Sequence, residues 1–514
     1  MFLKDNSTFP PPEWEFWDNK YHEWGAWYSG SPQQLLDFYR NKVPDTYYRT
    51  NELFWSAADI ETFASAVNCP LAGDIAQTSS NLLFSEMPLI NYDKSSKAGQ
   101  RIDGFIKDNN AFSLFQEGAE IAAAVSGCFL KLDIDSSISQ YPILSIITPR
   151  QAFPTFAFNR LKEVLFYSEI RKEQGGSVIF RLFENRRNEN GNLFIEFKLY
   201  KGTDKKIGNE ISIDSLEETQ DYKDVVYNNM IGLGVVYVPN MRPNKIVPKS
   251  YLGINDYSGC VSLLDMLDME WSSMARDIYN GLGQIFVDEE LLSRDQNLYT
   301  AEGKSYLNNF TKFQKTFIKL DFSKKNMSGD NFKPIELVQF DMRIQEHLQA
   351  VEGLIVEIIG RCGYSPNTFG YNISGTGKDS GTALKIKERK SFFTRGRKEN
   401  YWVNAIYNLL IQVQYLDNAS SLMFYDKDEN ININLEDSIL VDVKEQSETI
   451  RNLEQARAIS TYIKVKMQYP SWEEEEVEAE VKRIQDENGL TENNGLNNND
   501  IMLEDEAQEE KETE

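Results

Sequence analysis

Apolar positions in the first part of the chain recur at steps of three and four, the mark of helices with one buried face, and this pattern persists to about Gly127. Beyond it the texture changes to short β-rich runs. SVIFRLFENRR and LFIEFKLYKG flank NENGN, which predicts a hairpin, because Asn190-Gly191 supplies the two positive-φ residues that a tight two-residue turn requires. This mixed block extends to about Pro248.

Two long amphipathic helices follow. In the first, Cys260, Leu264, Leu267, Trp271, Met274 and Ile278 form the apolar stripe, flanked by Asp265, Asp268, Glu270 and Asp277. In the second, Ile344, Leu348, Val351, Ile355, Ile358 and Cys362 repeat the pattern, with His347 at its edge as a structural residue. Between them, from about Phe286 to Phe332, short β-like runs such as KTFIKLDF alternate with polar loops. The pattern is that of a stalk with a tip. A glycine-rich loop then leads into another helix, about Gly381 to Leu416, whose second half carries the stripe Trp402, Ile406, Leu409 and Val413. Its approach and first half are basic: Lys378, Lys385, Lys387, Arg389, Lys390, Arg395, Arg397 and Lys398 stand against Asp379 and Glu388. Further helices are expected around Glu445 to Tyr469 and Trp472 to Glu487, ahead of an Asn-rich acidic stretch from Asn488 expected to be disordered.

With 41% hydrophobic and 12% aromatic residues, the 514-residue chain has enough apolar material for several cores. Its net charge of −25 is unevenly placed, since 17 of the 79 acids but only 3 of the 54 bases lie between Glu473 and Glu514. The mildly acidic remainder argues against tight binding of nucleic acid through phosphate neutralisation. Cys69, Cys128, Cys260 and Cys362 form no C-x-x-C pair, so free thiols are expected and neither a zinc knuckle nor a redox dithiol. No basic segment followed by an apolar one opens the chain, and the most apolar run, IAAAVSGCFLKL, falls short of the roughly 18 residues of a membrane span. Neither a classical export signal nor membrane embedding is expected.

The loop SGTGKDSGTALK invites comparison with a phosphate-binding loop, which requires G-x-x-x-x-G-K-[ST]. The first position is Asn372 and the hydroxyl position is Asp379, an acid that repels phosphate, and the loop follows a helix where a buried strand is needed. It reads instead as a flexible connector, with Asp379 or Ser380 capping the next helix. His22 and His347 are the whole histidine complement, too few for histidine-based catalysis or metal sites, and no cofactor or metal is expected. The acids Asp437 and Asp442 read as exposed charges and not as a carboxylate dyad. The cluster Trp14, Trp17, Trp24 and Trp27 reads as an apolar packing face, with sugar stacking as the alternative.

In order along the chain, WGAWYSGSPQQLLDFY, ITPRQAFPTF with EVLFYSEI, SYLGINDYSGCVSLLDMLDMEWSSMARDI, GRCGYSPNTFG with DSGTALKIKERK, and LEDSILVDVKEQSETIRNLEQARAIS with EEEEVEAEVKRIQDENG resemble segments of the portal proteins of tailed bacteriophages, the type found in siphoviruses of Gram-positive hosts. The resemblance implies an α+β, portal-like fold. Its parts are a wing over residues 1–250, a first stem helix over 251–285, a small mixed clip over 286–334 and a second stem helix over 335–364. A tunnel loop over 365–380, a long helix with wing return over 381–440, a helical crown over 441–487 and an acidic tail over 488–514 complete it. It implies a non-enzymatic protein: a dodecameric ring in the virion at one capsid vertex, assembled in the host cytoplasm. Double-stranded DNA passes through that ring without sequence specificity. The implied partners are a separate ATP-driven terminase, a head-completion adaptor, and the major capsid and scaffolding proteins. Asn372, Ser374, Gly375, Gly377, Lys378 and Asp379 would face DNA in the tunnel loop. Asp265, Asp268, Glu270 and Asp277 would flank the channel and repel it. Lys385, Lys387, Arg389 and Lys390 lie on a basic helix whose charges surround the axis, leaving DNA, an acidic neighbour or water as their partner. The rival readings are a nucleotide-driven packaging ATPase and a carbohydrate-binding structural protein.

Overall fold

The computed structural model of the chain describes residues 2–41, 53–57, 66–281, 284–288, 317–320, 335–338, 342–371, 381–427, 430–435, 443–469, 472 and 474–487. These fall into two compact units, residues 1–377 with 386–436, and residues 378–385 with 437–514.

The first unit opens with helices α1 (Glu15–Ser29) and α2 (Pro32–Asn41), the short turn α3 (Phe54–Ala57) and α4 (Leu71–Phe84). Strand β1 (Leu89–Asn91) leads to α5 (Lys97–Asp108) and α6 (Ala111–Val125), and the helical texture gives way to strand at β2 (Gly127–Asp133) and β3 (Ile143–Ile147). An antiparallel meander follows: β4 (Ala152–Ala157), β5 (Arg160–Glu173), β6 (Val178–Glu189), β7 (Asn192–Thr203) and β8 (Lys206–Ile211), with β9 (Val225–Tyr227) paired to β7. The expected hairpin is β6–β7, where Glu189 pairs with Asn192 across Asn190 at φ 55° and Gly191 at φ 81°. Strand β10 (Val235–Pro239) returns to pair with β2, giving the sheet order β10-β2-β3.

Helix α7 (Val261–Asn280), strands β11 (Gln284–Asp288), β12 (Phe317–Leu320) and β13 (Ile335–Val338), and helix α8 (Ile344–Cys362) come next. β11 is the central strand, parallel to β12 and antiparallel to β13. A helix, a small sheet and a returning helix therefore stand where the sequence pattern expected a stalk and tip. Helix α9 (Gly381–Ala419) and strand β14 (Asn432–Asn434), antiparallel to β1, complete this part.

Two cores organise the first unit. In one, Trp402, Ile406, Leu409 and Val413 of α9 are buried with Phe105, Phe115 and Phe129. In the other, Trp24 and Trp27 of α1 pack with Leu35 and Trp55 against Leu264 and Leu267 of α7 and Val351, Ile355 and Ile358 of α8. Each such fully buried side chain contributes about 1.5–3 kcal/mol of transfer free energy. Trp27 donates its indole N–H to the Tyr39 hydroxyl at 3.0 Å, so its burial leaves no orphaned donor. The tryptophan cluster is a packing face, with Trp24 and Trp27 each 1% exposed. A sugar-stacking platform needs exposed rings, and these are inside.

The second unit contains α10 (Val443–Gln455), α11 (Thr461–Gln468) and α12 (Glu474–Glu487). The sequence pattern expects one helix from Glu445 to Tyr469; the chain breaks it at Arg457, which turns to φ 50°. Ser460 restarts the helix by accepting a hydrogen bond from the Ile463 amide at 3.3 Å, an N-cap bond available only where the helix is interrupted.

Candidate functional site

Helix α7 holds the N-terminal segments through its own acids. Asp265 Oδ2 accepts the Phe54 amide at 2.7 Å and Oδ1 the Trp55 amide at 3.2 Å, satisfying donors at the start of α3. Asp268 accepts the Trp55 indole N–H at 2.9 Å, the Asn68 amide N–H at 2.6 Å and the Cys69 backbone N–H at 2.8 Å. Both carboxylates are buried, Asp268 completely. Burial pushes Asp265 above the usual carboxylate range and Asp268 up to about 7, against the opposing pull of these donors. Asp265 and Asp268, expected to flank a channel, are enclosed by partners from their own chain.

Further along α7, Glu270 and Asp277 converge on one residue of α8. His347 Nδ1 lies 2.7 Å from Glu270 Oε1, and its Nε2 lies 3.1 Å from Asp277 Oδ2. Arg343 donates to the same Asp277 oxygen at 3.0 and 2.8 Å. Asp277 first and Glu270 second hold the imidazole pKa above the ordinary histidine value, and His347 with Arg343 holds Asp277 below the ordinary carboxylate value. His347 is thus a structural clamp between the two helices.

The C-terminal end of α8 is fastened to α9. Gly363, at φ 96°, ends the helix, and a Cβ added there would lie 2.9 Å from Thr394 Oγ1. Thr394 donates to the Gly363 carbonyl at 2.5 Å, and Lys390 to that of Gly360. The Ser365 amide donates to Ser391 Oγ at 2.8 Å, the Ser365 hydroxyl to the Lys387 carbonyl, and Thr368 shares a 2.8 Å hydroxyl contact with Ser391. Beneath them, Lys398 Nζ lies 2.7 and 2.6 Å from the two oxygens of Asp256 and 2.6 Å from Ser79 Oγ. Tyr364 donates to Asp256 Oδ2 at 2.7 Å. Burial draws Lys398 below the ordinary lysine range, with Asp256 opposing, and pushes the Tyr364 phenol well above its ordinary value. Nearby, the thiols of Cys260 and Cys362, which bracket α7 and α8, lie 3.7 Å apart as free cysteines.

This arrangement divides the basic helix. Arg395 and Lys398 turn inward, Arg395 donating to the Leu82 carbonyl at 2.6 Å and the Leu435 carbonyl at 3.3 Å, while Lys390 stays exposed and reaches the Gly360 carbonyl at the surface. Lys387 contributes its backbone carbonyl to Ser365, while Arg389 and Arg397 remain exposed. The Lys385 side chain lies outside the described residues, as do Asn372, Ser374, Gly375, Gly377, Lys378 and Asp379, the pair Asp437 and Asp442, and the tail from Asn488. Among the described residues no group of three or more His, Cys, Asp or Glu side chains is placed to hold a metal ion, and no helix is long and apolar enough to cross a membrane.

The family described as "Phage portal protein, SPP1 Gp6-like" matches residues 32–493. This chain belongs to that family. The portal fold is thus the mixed helical and sheet architecture set out above, and the chain's role is that of a portal protein, a component of phage-type particles. Two solved assemblies are similar to it. One is "Neck of empty GTA particle computed with C6 symmetry", with a TM-score of 0.41 and 10% identity over 79% of this chain and 93% of that one. The other is "Virion of native gene transfer agent (GTA) particle", with a TM-score of 0.38 and 9% identity over 90% of this chain and 94% of that one. No curated protein matches the chain.

Sequence reasoning passed over Asp256, Tyr364, Ser365, Ser391 and Thr394, which carry the junction of the portal chain's helices. One signal was present. Lys398 stands four residues before Trp402 and eight before Ile406 on the stripe that enters the core, and a cation on a buried face requires a carboxylate opposite it.

Proposed function

We propose that this chain is the subunit of a closed ring, the dodecamer expected from the sequence, through whose axial channel double-stranded DNA enters and leaves a capsid. The ring itself does no chemistry. A separate terminase drives packaging, a head-completion adaptor follows it at the same end, and the ring connects head to tail and releases the genome. The observation that carries this reading is the family match over residues 32–493, which spans both long helices, the small sheet between them and the loop that follows. The physical chemistry agrees with it. Helices that carry exposed apolar side chains, such as Met266, Met269, Ile278 and Leu348, gain burial in head-to-tail contacts that close on themselves. The small sheet is assigned the clip role, docking terminase and later the adaptor. Residues 365–380 are assigned the tunnel loop, whose flanking helices α8 and α9 are tied together by Lys390 and Thr394 and by the contacts around Ser365.

Native mass spectrometry of the purified full chain is the test. A closed oligomer with a single subunit number is the expected result; a monomer at micromolar concentration overturns the reading.

A further inference from the structure

The outward face of α9 carries Ile386, Arg389, Phe393 and Arg397 at steps of three and four, one continuous strip. Ile386 is 69% and Phe393 61% exposed, and the Arg389 guanidinium lies 5.1 Å from the centre of the Phe393 ring. Arg397 donates to the Arg242 carbonyl at 2.7 Å, and Arg242 to Asn159 Oδ1 at 3.2 Å. These bonds continue the strip to the β4–β5 turn. There Phe158 stands 95% exposed at φ 50°, a left-handed conformation that is costly for a bulky side chain.

The cations of the strip differ from those buried in the fold. Arg101, Arg186 and Lys398 each face a carboxylate inside the fold. Arg389, Arg397 and Arg242 face none among the described residues, in a chain with net charge −25. Arginines interleaved with exposed aromatic and aliphatic side chains have the composition of a protein contact centre. Phosphates would neutralise the guanidiniums but leave Phe393, Ile386 and Phe158 in water, which favours a protein partner over a nucleic acid.

We propose that this strip is one side of the contact between subunits, and that its occupant is a second copy of this chain presenting carboxylates and apolar side chains. The proposal rests on the ring reading and adds which surface closes the ring. The complementary chemistry is present on the same chain: one face of α8 exposes Glu352, not ion-paired among the described residues, one helical turn from Leu348 at 40% exposure. An arginine strip meeting such a face makes a head-to-tail contact, because the two surfaces differ and neither satisfies itself. Attraction across it weakens with salt, while the aromatic burial does not.

The experiment compares the full-length chain with Arg389→Glu/Arg397→Glu and Arg389→Lys/Arg397→Lys by native mass spectrometry and sedimentation, across a salt series. Binding of a fluorescent 30-base-pair duplex, about three helical turns, is measured in parallel. Charge reversal is expected to release monomers that keep the wild-type circular-dichroism spectrum, weakening assembly by at least about a hundredfold for two reversed charges. The lysine variant is expected to keep the ring with lower salt tolerance, since an ammonium loses the planar stacking on Phe393. A wild-type monomer overturns the ring reading and this proposal together. A wild-type ring whose charge-reversed variant assembles unchanged overturns this proposal alone, and if that variant loses duplex binding the strip belongs to DNA. A chain ending at Glu487 should also keep the ring; monomers there would make the acidic tail the occupant and overturn the assignment.

Discussion

Lys398 and Asp256 form an ion pair with both carboxylate oxygens within 2.7 Å of the ammonium, and the two side chains are 2% and 0% exposed. The pair joins the long helix α9 to the segment that enters α7, with Tyr364 at the end of α8 completing it. Lys398→Met leaves Asp256 buried without its cation and should cost about 3–5 kcal/mol in chemical unfolding. Lys398→Met/Asp256→Asn should recover a substantial part of that loss. A single variant as stable as the wild-type chain would show that the pair is not held in the folded protein.

Asp268 provides a pH signature. Its folded pKa, about 7, lies above that of an unfolded aspartate, so the folded state binds the proton more tightly. Its contribution therefore grows as pH falls from about 7 towards the ordinary carboxyl range, and becomes a cost when the group ionises. Urea midpoints from pH 5 to 8.5 should show this slope in the wild-type chain and a flatter one in Asp268→Asn. Asp268→Leu, which abandons three buried donors, should lose about 3 kcal/mol or more at every pH.

His347 has the same sign over a higher pH window. Its pKa is raised by Asp277 and Glu270, so its stabilising contribution is complete below the ordinary histidine value of about 6.5 and is lost as pH rises through the raised folded value. Asp277, held low by His347 and Arg343, contributes above the ordinary carboxylate range and loses that contribution in acid. The clamp is strongest between these limits. Stability measured against pH for the wild-type chain and His347→Gln should diverge in mildly acidic buffer and converge in alkaline buffer; parallel curves would remove the clamp.

The tunnel-loop assignment is tested by Asn372→Arg/Ser374→Arg. Two added positive charges per subunit should hold duplex phosphates by counterion release, so the variant is expected to assemble but to package slowly, with relief on adding salt. Packaging at the wild-type rate with unchanged salt dependence would move the DNA path away from this loop.

The mismatches at Asn372 and Asp379 predict that calorimetry finds no saturable ATP binding to the purified chain, and that Lys378→Ala changes nothing. Saturable binding abolished by that substitution would restore the nucleotide reading.

The local features of the chain were legible in its sequence. The β6–β7 turn followed from Asn190-Gly191, and the buried stripe of α9 from the spacing of Trp402, Ile406, Leu409 and Val413, because turn chemistry and helical periodicity act over a few residues. The order of motifs along the chain carried the family, and the family match covers the same stretch. Tertiary structure decided where the charges went. Asp265 and Asp268 read as the polar flank of a helix, and they are enclosed by partners 211 and 199 positions away, at Phe54 and Cys69. Arg389 and Lys398 read as equal members of one basic run, yet one lies on an exposed aromatic ring and the other in the core against Asp256. A charge reports its cost only through its surroundings, and periodicity records which face of a helix is apolar but not what folds over the other.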